Sequence, residues 1–191
     1  MSYHFYAMLS RMKNVYRWHT MRNTKPENLS EHTLETAFVA HALALIHNSR
    51  CGGNVDADKA AVLALFHDTS EIITGDMPTP IKYFNPEIKD AYKKIEKVAE
   101  NKLISLLPEY LQGEFKDIYG EQDEILTKII KAADKISAYI KCIEELKMGN
   151  GEFAVAKQTT EKAIMDLNFD AAKIFMEEFI PSFTLSIDEL N

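Results

Sequence analysis

The stretch Ala64-Leu65-Phe66-His67-Asp68-Thr69-Ser70-Glu71 ends an apolar run in an adjacent His and Asp, with a second acid three residues after the Asp. A neutral imidazole and a carboxylate together can grip a divalent cation that neither would hold alone. On a continuing helix, positions 67 and 71 stand one above the other, so Glu71 faces whatever His67 faces. Polarity buried at the end of an apolar helix needs a partner. The octapeptide reads either as half a metal site or as a helix C-terminal His followed by solvated acids. Two residues elsewhere bear on the choice. His32 falls in the first turn of a helix. Asp134 lies on the flank of an apolar stripe, where a carboxylate costs stability unless it is paired, bound to metal, or at a rim that reaches water or a neighbouring Lys. Two imidazoles and two carboxylates give a four-ligand N/O site for one divalent ion of the Mn, Fe, Co or Zn class.

The elements that must position these residues are helical. Glycine is scarce, at seven residues, and alternating β-type stretches are absent. The spacing predicts helices over about 3–13, from an N-cap at Ser30 to about Asn48, and from Asp56 or Asp58 to His67-Asp68, continuing or kinking through Glu71 to Gly75. Leu34, Ala37, Phe38, His41 and Leu45 recur at helical spacing in the second of these. Pro78 and Pro80 predict a stiff extended loop after the candidate site. Further helices are expected over 86–107, ended by Pro108, over Glu109–Glu114, and over 124–148. Leu126, Ile129, Ala133, Ile136, Ile140 and Ile143 stripe the last of these, with lysines 128, 131 and 135 on the opposite side. Two more, over 152–167 and 168–180, precede a tail that packs loosely or against a partner.

Length and composition set bounds. A chain of 191 residues, 46% hydrophobic and 27% charged, fits one soluble globular domain over 1–191. A net charge of −7 leaves no broad basic footprint for nucleic acid, so phosphate must be handled locally by a few aimed cations or a metal. Two cysteines, Cys51 and Cys142, form no disulfide framework or zinc ribbon. No apolar run reaches the roughly 18 residues of a membrane span, and the first twenty residues lack the apolar block of a signal peptide. The expected location is the cytoplasm, with no membrane partner.

The order His32…His67-Asp68…Asp134, each ligand on a separate helical segment, resembles the signature of the HD-domain phosphohydrolase superfamily. The resemblance extends to Arg17-Trp18, Met21-Arg22-Asn23, Ser30-Glu31-His32, Thr74-Gly75-Asp76-Met77-Pro78-Thr79-Pro80, Lys82-Tyr83-Phe84-Asn85, Tyr139-Ile140-Lys141-Cys142 and Pro181-Ser182-Phe183. Together these look like the bacterial HD-domain 5'-deoxynucleotidase family over nearly the whole chain, with His19-Thr20 as a local departure. The resemblance implies an all-α helical bundle that forms a homodimer. It implies metal-dependent removal of the 5'-phosphate from deoxyribonucleoside monophosphates, with discrimination against ribonucleotides. Carried over by motif, His32, His67, Asp68 and Asp134 would hold one divalent metal ion per chain, and Glu71 and Asp76 would be the catalytic acids. Arg17, Trp18, Asp76, Met77, Pro78 and Thr79 would hold the nucleotide, with His32, Asp68 and Asp134 beside it at the metal.

Elementary chemistry suits these roles. Arg17 can make paired hydrogen bonds to phosphate that Lys cannot match in geometry. Trp18 offers a flat face to a sugar or base, or else anchors the N-terminal helix. Asp76 would repel phosphate but can hydrogen-bond a sugar hydroxyl. Three rival readings remain. A cyclic-dinucleotide phosphodiesterase would need a second ligand cluster, which His4, His19, His41 and His47 do not form. A triphosphohydrolase would want more cations than Arg17, Arg22 and Lys82. A non-catalytic helical binding protein would have no use for all five of His32, His67, Asp68, Glu71 and Asp134.

Overall fold

The structure, a computed structural model, describes residues 2–82 and 84–191, except for the side chains of Thr79 and Pro80. The nucleotide contact expected of Thr79, and the place of Tyr83, therefore lie outside the described residues. Among the described residues there is no strand, only an isolated antiparallel bridge between Tyr16 and Asn28. In chain order the helices are α1 (Phe5–Leu9), α2 (Leu29–Arg50), α3 (Ala57–Phe66), α4 (Glu71–Thr74), α5 (Thr79–Lys82), α6 (Pro86–Ile104), α7 (Glu109–Ile118), α8 (Glu124–Lys147), α9 (Ala154–Met165) and α10 (Asp170–Glu178), with short 3-10 turns between several of them. None of these helices is long and apolar enough to cross a membrane.

The stripe read along α8 is the centre of the core. Ile129, Ile136 and Ile140 are essentially fully buried and pack with Leu43, Ala44, Leu63 and Phe175 from α2, α3 and α10. Each such branched side chain contributes about 1.5–3 kcal/mol relative to exposure. A second cluster joins Phe5 of α1 to Leu103 and Ile104 of α6 and to Leu107 and Phe115. The first cluster fixes α2, α3 and α8 side by side, and the candidate site lies where those three helices meet.

Several sequence expectations change. The N-cap of α2 is Asn28 rather than Ser30: the Asn28 side chain accepts from the Ser30 and Glu31 amides, and Glu31 accepts in return from the Asn28 amide. This reciprocal box satisfies amide hydrogens that have no partner inside the helix. On α2 the buried face is His32, Thr36, Val39, Ala40, Leu43 and Ala44, whereas Leu34, Phe38 and Leu45 turn outward and are 51%, 68% and 47% exposed. Of the residues read as that stripe, Leu34, Phe38 and Leu45 thus lie on the outer side of the helix, while Ala37 faces the core.

Helix α3 stops at Phe66, just short of His67-Asp68, and of the two expected courses the chain takes the kink, through a turn into α4. The His67 ring donates through Nδ1 to the Ala64 carbonyl at 2.7 Å, and the Thr69 hydroxyl donates to the Phe66 carbonyl at 2.9 Å. These side chains serve as capping groups for the last carbonyls. Glu71 therefore reaches the site through a turn and α4, not by stacking over His67 on one helix. The loop after α4 is shorter than expected because Pro80 sits inside the first turn of α5, where a missing N–H costs nothing. At the N-terminus, the expected helix divides into α1 and a 3-10 turn over Ser10–Asn14.

Candidate active site

Four side chains converge. His32 comes from the first turn of α2, His67 and Asp68 from the turn that ends α3, and Asp134 from the middle of α8. One liganding atom from each lies within 4.8 Å of all the others. His32 Nε2 stands 3.3 Å from Asp134 Oδ1 and 3.6 Å from Asp68 Oδ2, while His67 Nε2 stands 3.0 Å from Asp68 Oδ2. Ligands on opposite sides of an ion with bonds of roughly 2.0–2.2 Å are a little over 4 Å apart. The cluster is at coordination spacing to within a small side-chain rotation.

Does this donor set fit a cation? The clearest observation is at His67. Its Nδ1–H is committed to the Ala64 carbonyl, which can only accept, so the lone pair of the neutral ring is on Nε2. That buried nitrogen faces Asp68 yet makes no hydrogen bond. A lone pair aimed at a carboxylate is stable only with positive charge between them. A proton can supply it: although burial opposes the charge, Asp68 and then Asp134 and the Ala64 carbonyl push His67 up to about 9. A divalent ion would supply it better, because it serves all four groups at once. The residues fit a metal.

The two carboxylates of the cluster are held in the charged form that such a role needs. Burial disfavours their charge, yet His67 and His32 hold Asp68 well below the usual carboxylate range. Asp134 is drawn down to about 2, against burial, chiefly by its hydrogen bond and charge attraction to His32. Glu71, 4% exposed, behaves in the opposite way. Burial, then Asp68 and Asp76, push its carboxyl up to about 9, and its Oε2 has no hydrogen-bond partner.

Beside the cluster opens a cavity of about 750 Å³, lined by Arg17, Trp18, Asp76, Met77, Pro78 and Asp134 on one side and by residues of α8 and α9, such as Ala138, Val155 and Thr159, on the other. Of the cluster only Asp134 lines it, together with Arg17; His32, His67, Asp68 and Glu71 do not. Arg17 Nη1 lies 3.5 Å from Asp68 Oδ2, and Arg17 Nε donates to Glu27 Oε2 at 3.1 Å. Burial works against the guanidinium charge, but Asp134, Asp68, Glu27 and Asp76 together hold it above its usual range.

The same Glu27 oxygen accepts from Trp18 Nε1 at 3.1 Å. The Trp18 backbone has φ +56°, a left-handed conformation that strains any residue with a bulky side chain. It is held there by Glu27, by an Asn23 Nδ2 bond to its carbonyl at 3.0 Å, and by the Phe153 ring at 5.4 Å. Trp18 thus belongs to the cavity wall. Farther along, the buried Glu145 accepts from the Thr24 and Lys25 amides and from Asn150 and Lys141, tying the 17–28 segment to α8.

Some participants receive no role from the sequence. Lys135 and His19 line the cavity, the latter 3.7 Å from Asp76 Oδ2. Glu27 carries no pattern of its own. Behind His32, the Ser137 hydroxyl lies 3.0 Å from Nδ1 and donates to Glu35 Oε2 at 2.7 Å. Burial lifts Glu35 to about 7, even though the Ser137 bond works the other way. The available signal for Glu35 was its position three residues after His32, on the same helical face.

Comparison with known proteins gives the lineage. A 5'-deoxynucleotidase of Photorhabdus laumondii is 51% identical over 190 residues, covering 98% of this chain and 96% of that protein. A 5'-deoxynucleotidase of Vibrio vulnificus is 50% identical over 190 residues, covering 98% of each. Among solved structures, an HD-domain phosphohydrolase from Listeria innocua superposes with a TM-score of 0.82 at 22% identity, covering 96% of this chain and 89% of that one. The HD phosphohydrolase of cyanophage S-2L, solved with dA and one catalytic Zn²⁺, superposes with a TM-score of 0.65 at 19% identity, covering 92% and 96%. At those identities the two structures establish the HD-domain fold. A 5'-deoxynucleotidase YfbR-like family model matches residues 4–183, and with relatives half identical end to end, the chain belongs to that family.

Proposed function

We propose that this chain is a metal-dependent 5'-deoxynucleotidase that converts 2'-deoxyribonucleoside 5'-monophosphates and water to deoxynucleosides and phosphate. The observation that carries the reading is the convergence of four liganding atoms within 4.8 Å, next to Arg17 and the cavity. His32, His67, Asp68 and Asp134 would hold one divalent ion of the Co, Mn, Fe or Zn class. Bound there, such an ion supplies Lewis-acid polarisation of the phosphoryl oxygen and acidifies water.

The chain's own residues do the rest. Arg17, pinned at Nε by Glu27, keeps its remaining guanidinium hydrogens for the phosphate oxygens, in a planar fork that also suits the developing charge. Glu71 lies in an acid-rich corner where its carboxyl takes and releases a proton near neutrality once a cation is close. It accepts the proton of the attacking water. As the P–O5' bond breaks, that proton returns to the departing 5'-oxygen. Asp76 lines the cavity beyond Arg17 and reads a sugar hydroxyl, while Trp18 closes the sugar side. Met77 and Pro78 complete that wall, with Thr79 following them. His32, Asp68 and Asp134 would border the phosphate as holders of the metal.

The whole of 1–191 acts as one domain in this reading, in a cytoplasmic enzyme, and both cysteines are free thiols. It works as a homodimer: Leu34, Phe38 and Leu45 form an outward apolar stripe on α2, and α3 leaves Val62 and Leu65 exposed beside it in sequence. The test is phosphate release from dAMP, dCMP and AMP by chelator-treated protein, before and after each metal is returned. Release from the deoxynucleotides that depends on metal is expected. Equal rates on dAMP and AMP would overturn the assignment, and metal-independent release would overturn the site.

A further inference from the structure

A histidine binds a cation through one nitrogen only when its hydrogen is on the other, and the structure contains a device that decides this for His32. Its Nε2 faces the cluster, and its Nδ1 faces Ser137 Oγ at 3.0 Å. The fully buried Ser137 hydroxyl in turn points at Glu35 Oε2, 2.7 Å away. Above about pH 7 Glu35 is an ionised carboxylate with no hydrogen to give, so the hydroxyl hydrogen goes to Glu35. The Ser137 oxygen is then left as an acceptor, and the group it faces must be Nδ1–H. We infer that Ser137 and Glu35 are positioning residues that fix the His32 hydrogen on Nδ1 and so keep the Nε2 lone pair available for a divalent cation. This inference rests on the metal reading proposed above.

The opposite tautomer has ready support, which is why it must be specified against. A hydrogen on Nε2 would find Asp134 Oδ1 at 3.3 Å and Thr36 Oγ1 at 3.5 Å, the latter with its own hydrogen already given to the His32 carbonyl at 2.8 Å. Without the chain behind it, His32 would place its hydrogen where the cation belongs. Two ring ligands thus receive the same treatment from different partners: a backbone carbonyl fixes His67, and a hydroxyl directed by a carboxylate fixes His32. Burial of Glu35 near Glu27 and Glu144 is unfavourable for folding, and directing the Ser137 hydrogen is a return for that cost.

The test uses metal-free full-length protein titrated calorimetrically with Mn²⁺ and with Zn²⁺. Ser137→Ala and Glu35→Leu should each weaken metal binding by roughly 10–100-fold. Glu35→Gln should stay close to wild type, because its amide oxygen still accepts the Ser137 hydrogen. In metal-free wild type above about pH 7, nitrogen NMR should place the hydrogen of the neutral His32 ring on Nδ1. Folded Ser137→Ala with unchanged affinity would overturn the inference, as would a hydrogen on Nε2. Glu35→Gln as weak as Glu35→Leu would also overturn it, since charge rather than hydrogen direction would then be at work. Should wild type itself take up neither metal, the proposed metal site fails instead, and the two failures are distinct.

Discussion

Replacing the candidate proton carrier should make the metal-free protein more stable. In the folded chain the Glu71 carboxyl is held up to about 9 by burial and by Asp68 and Asp76, against its ordinary 4.5. Its folded value lies above its unfolded value, so between those limits the folded state binds more protons, and stability falls as pH rises across the window. At pH 7 the unfolded carboxyl has released a proton that the folded one retains. The difference is about 2.5 pH units at ~1.36 kcal/mol each, or on the order of 3 kcal/mol. Glu71→Gln is neutral at every pH and of similar shape, so it removes that penalty. The variant should gain ~2–3 kcal/mol near pH 7, or roughly 5–10 °C in Tm for a chain of this length. The gain should vanish below about pH 4.5. Glu35 and His67 also have raised values, and they impose the same downward slope on both proteins, so they largely cancel in the difference. Urea unfolding of chelator-treated wild type and variant at a series of pH values reads the effect directly. A variant no more stable than wild type at neutral pH would refute the reasoning, and so would a difference that does not grow with pH. The same substitution should cost about 10²–10⁴-fold in turnover of the metal-loaded enzyme.

Asp68→Ala should abolish metal uptake and turnover together, since Asp68 faces His32, His67 and Arg17; metal analysis alongside phosphate release checks both. Trp18→Ala should reduce activity on dAMP and narrow the dAMP-to-AMP ratio of kcat/KM. A rigid wall is needed to reject an added hydroxyl by much more than about 10²-fold, and an unchanged ratio would remove Trp18 as the sugar gate. Phe38→Glu places a charge in the outward stripe of α2 and should give a monomer by light scattering; a dimer that survives would move the interface elsewhere.

The sequence reads the site better than it reads the helices that hold it. His67 and Asp68 are adjacent, and Asp134 flanks an apolar stripe, so each leaves a local trace that the structure brings to one point. Local signals mislead where two of them compete. Ser30 and Asn28 are both good caps, and only the return bond from Glu31 selects Asn28. The Leu34, Phe38 and Leu45 stripe has helical period, but period alone does not say whether the core or another surface receives it. The small residues Ala37, Ala40 and Ala44 are the ones that permit close approach to the neighbouring helices. Glu71 reaches the site although the helix breaks, because the turn returns it to the same place. Glu35 and Ser137 could not be paired from sequence, since 102 positions separate them and neither belongs to a motif.

Trp18 is the only tryptophan in the chain, and its ring lines the cavity with its N–H on Glu27. The tryptophan fluorescence of the protein, excited selectively over its eight tyrosines, is therefore a single-site signal. Because the indole lies beside the space a nucleotide would fill, its emission reports occupancy of that space without any label. Its hydrogen bond to the carboxylate that also holds Arg17 makes the emission sensitive to the guanidinium as well. An unmodified sample can thus be followed through filling and emptying of the cavity in one stopped-flow trace.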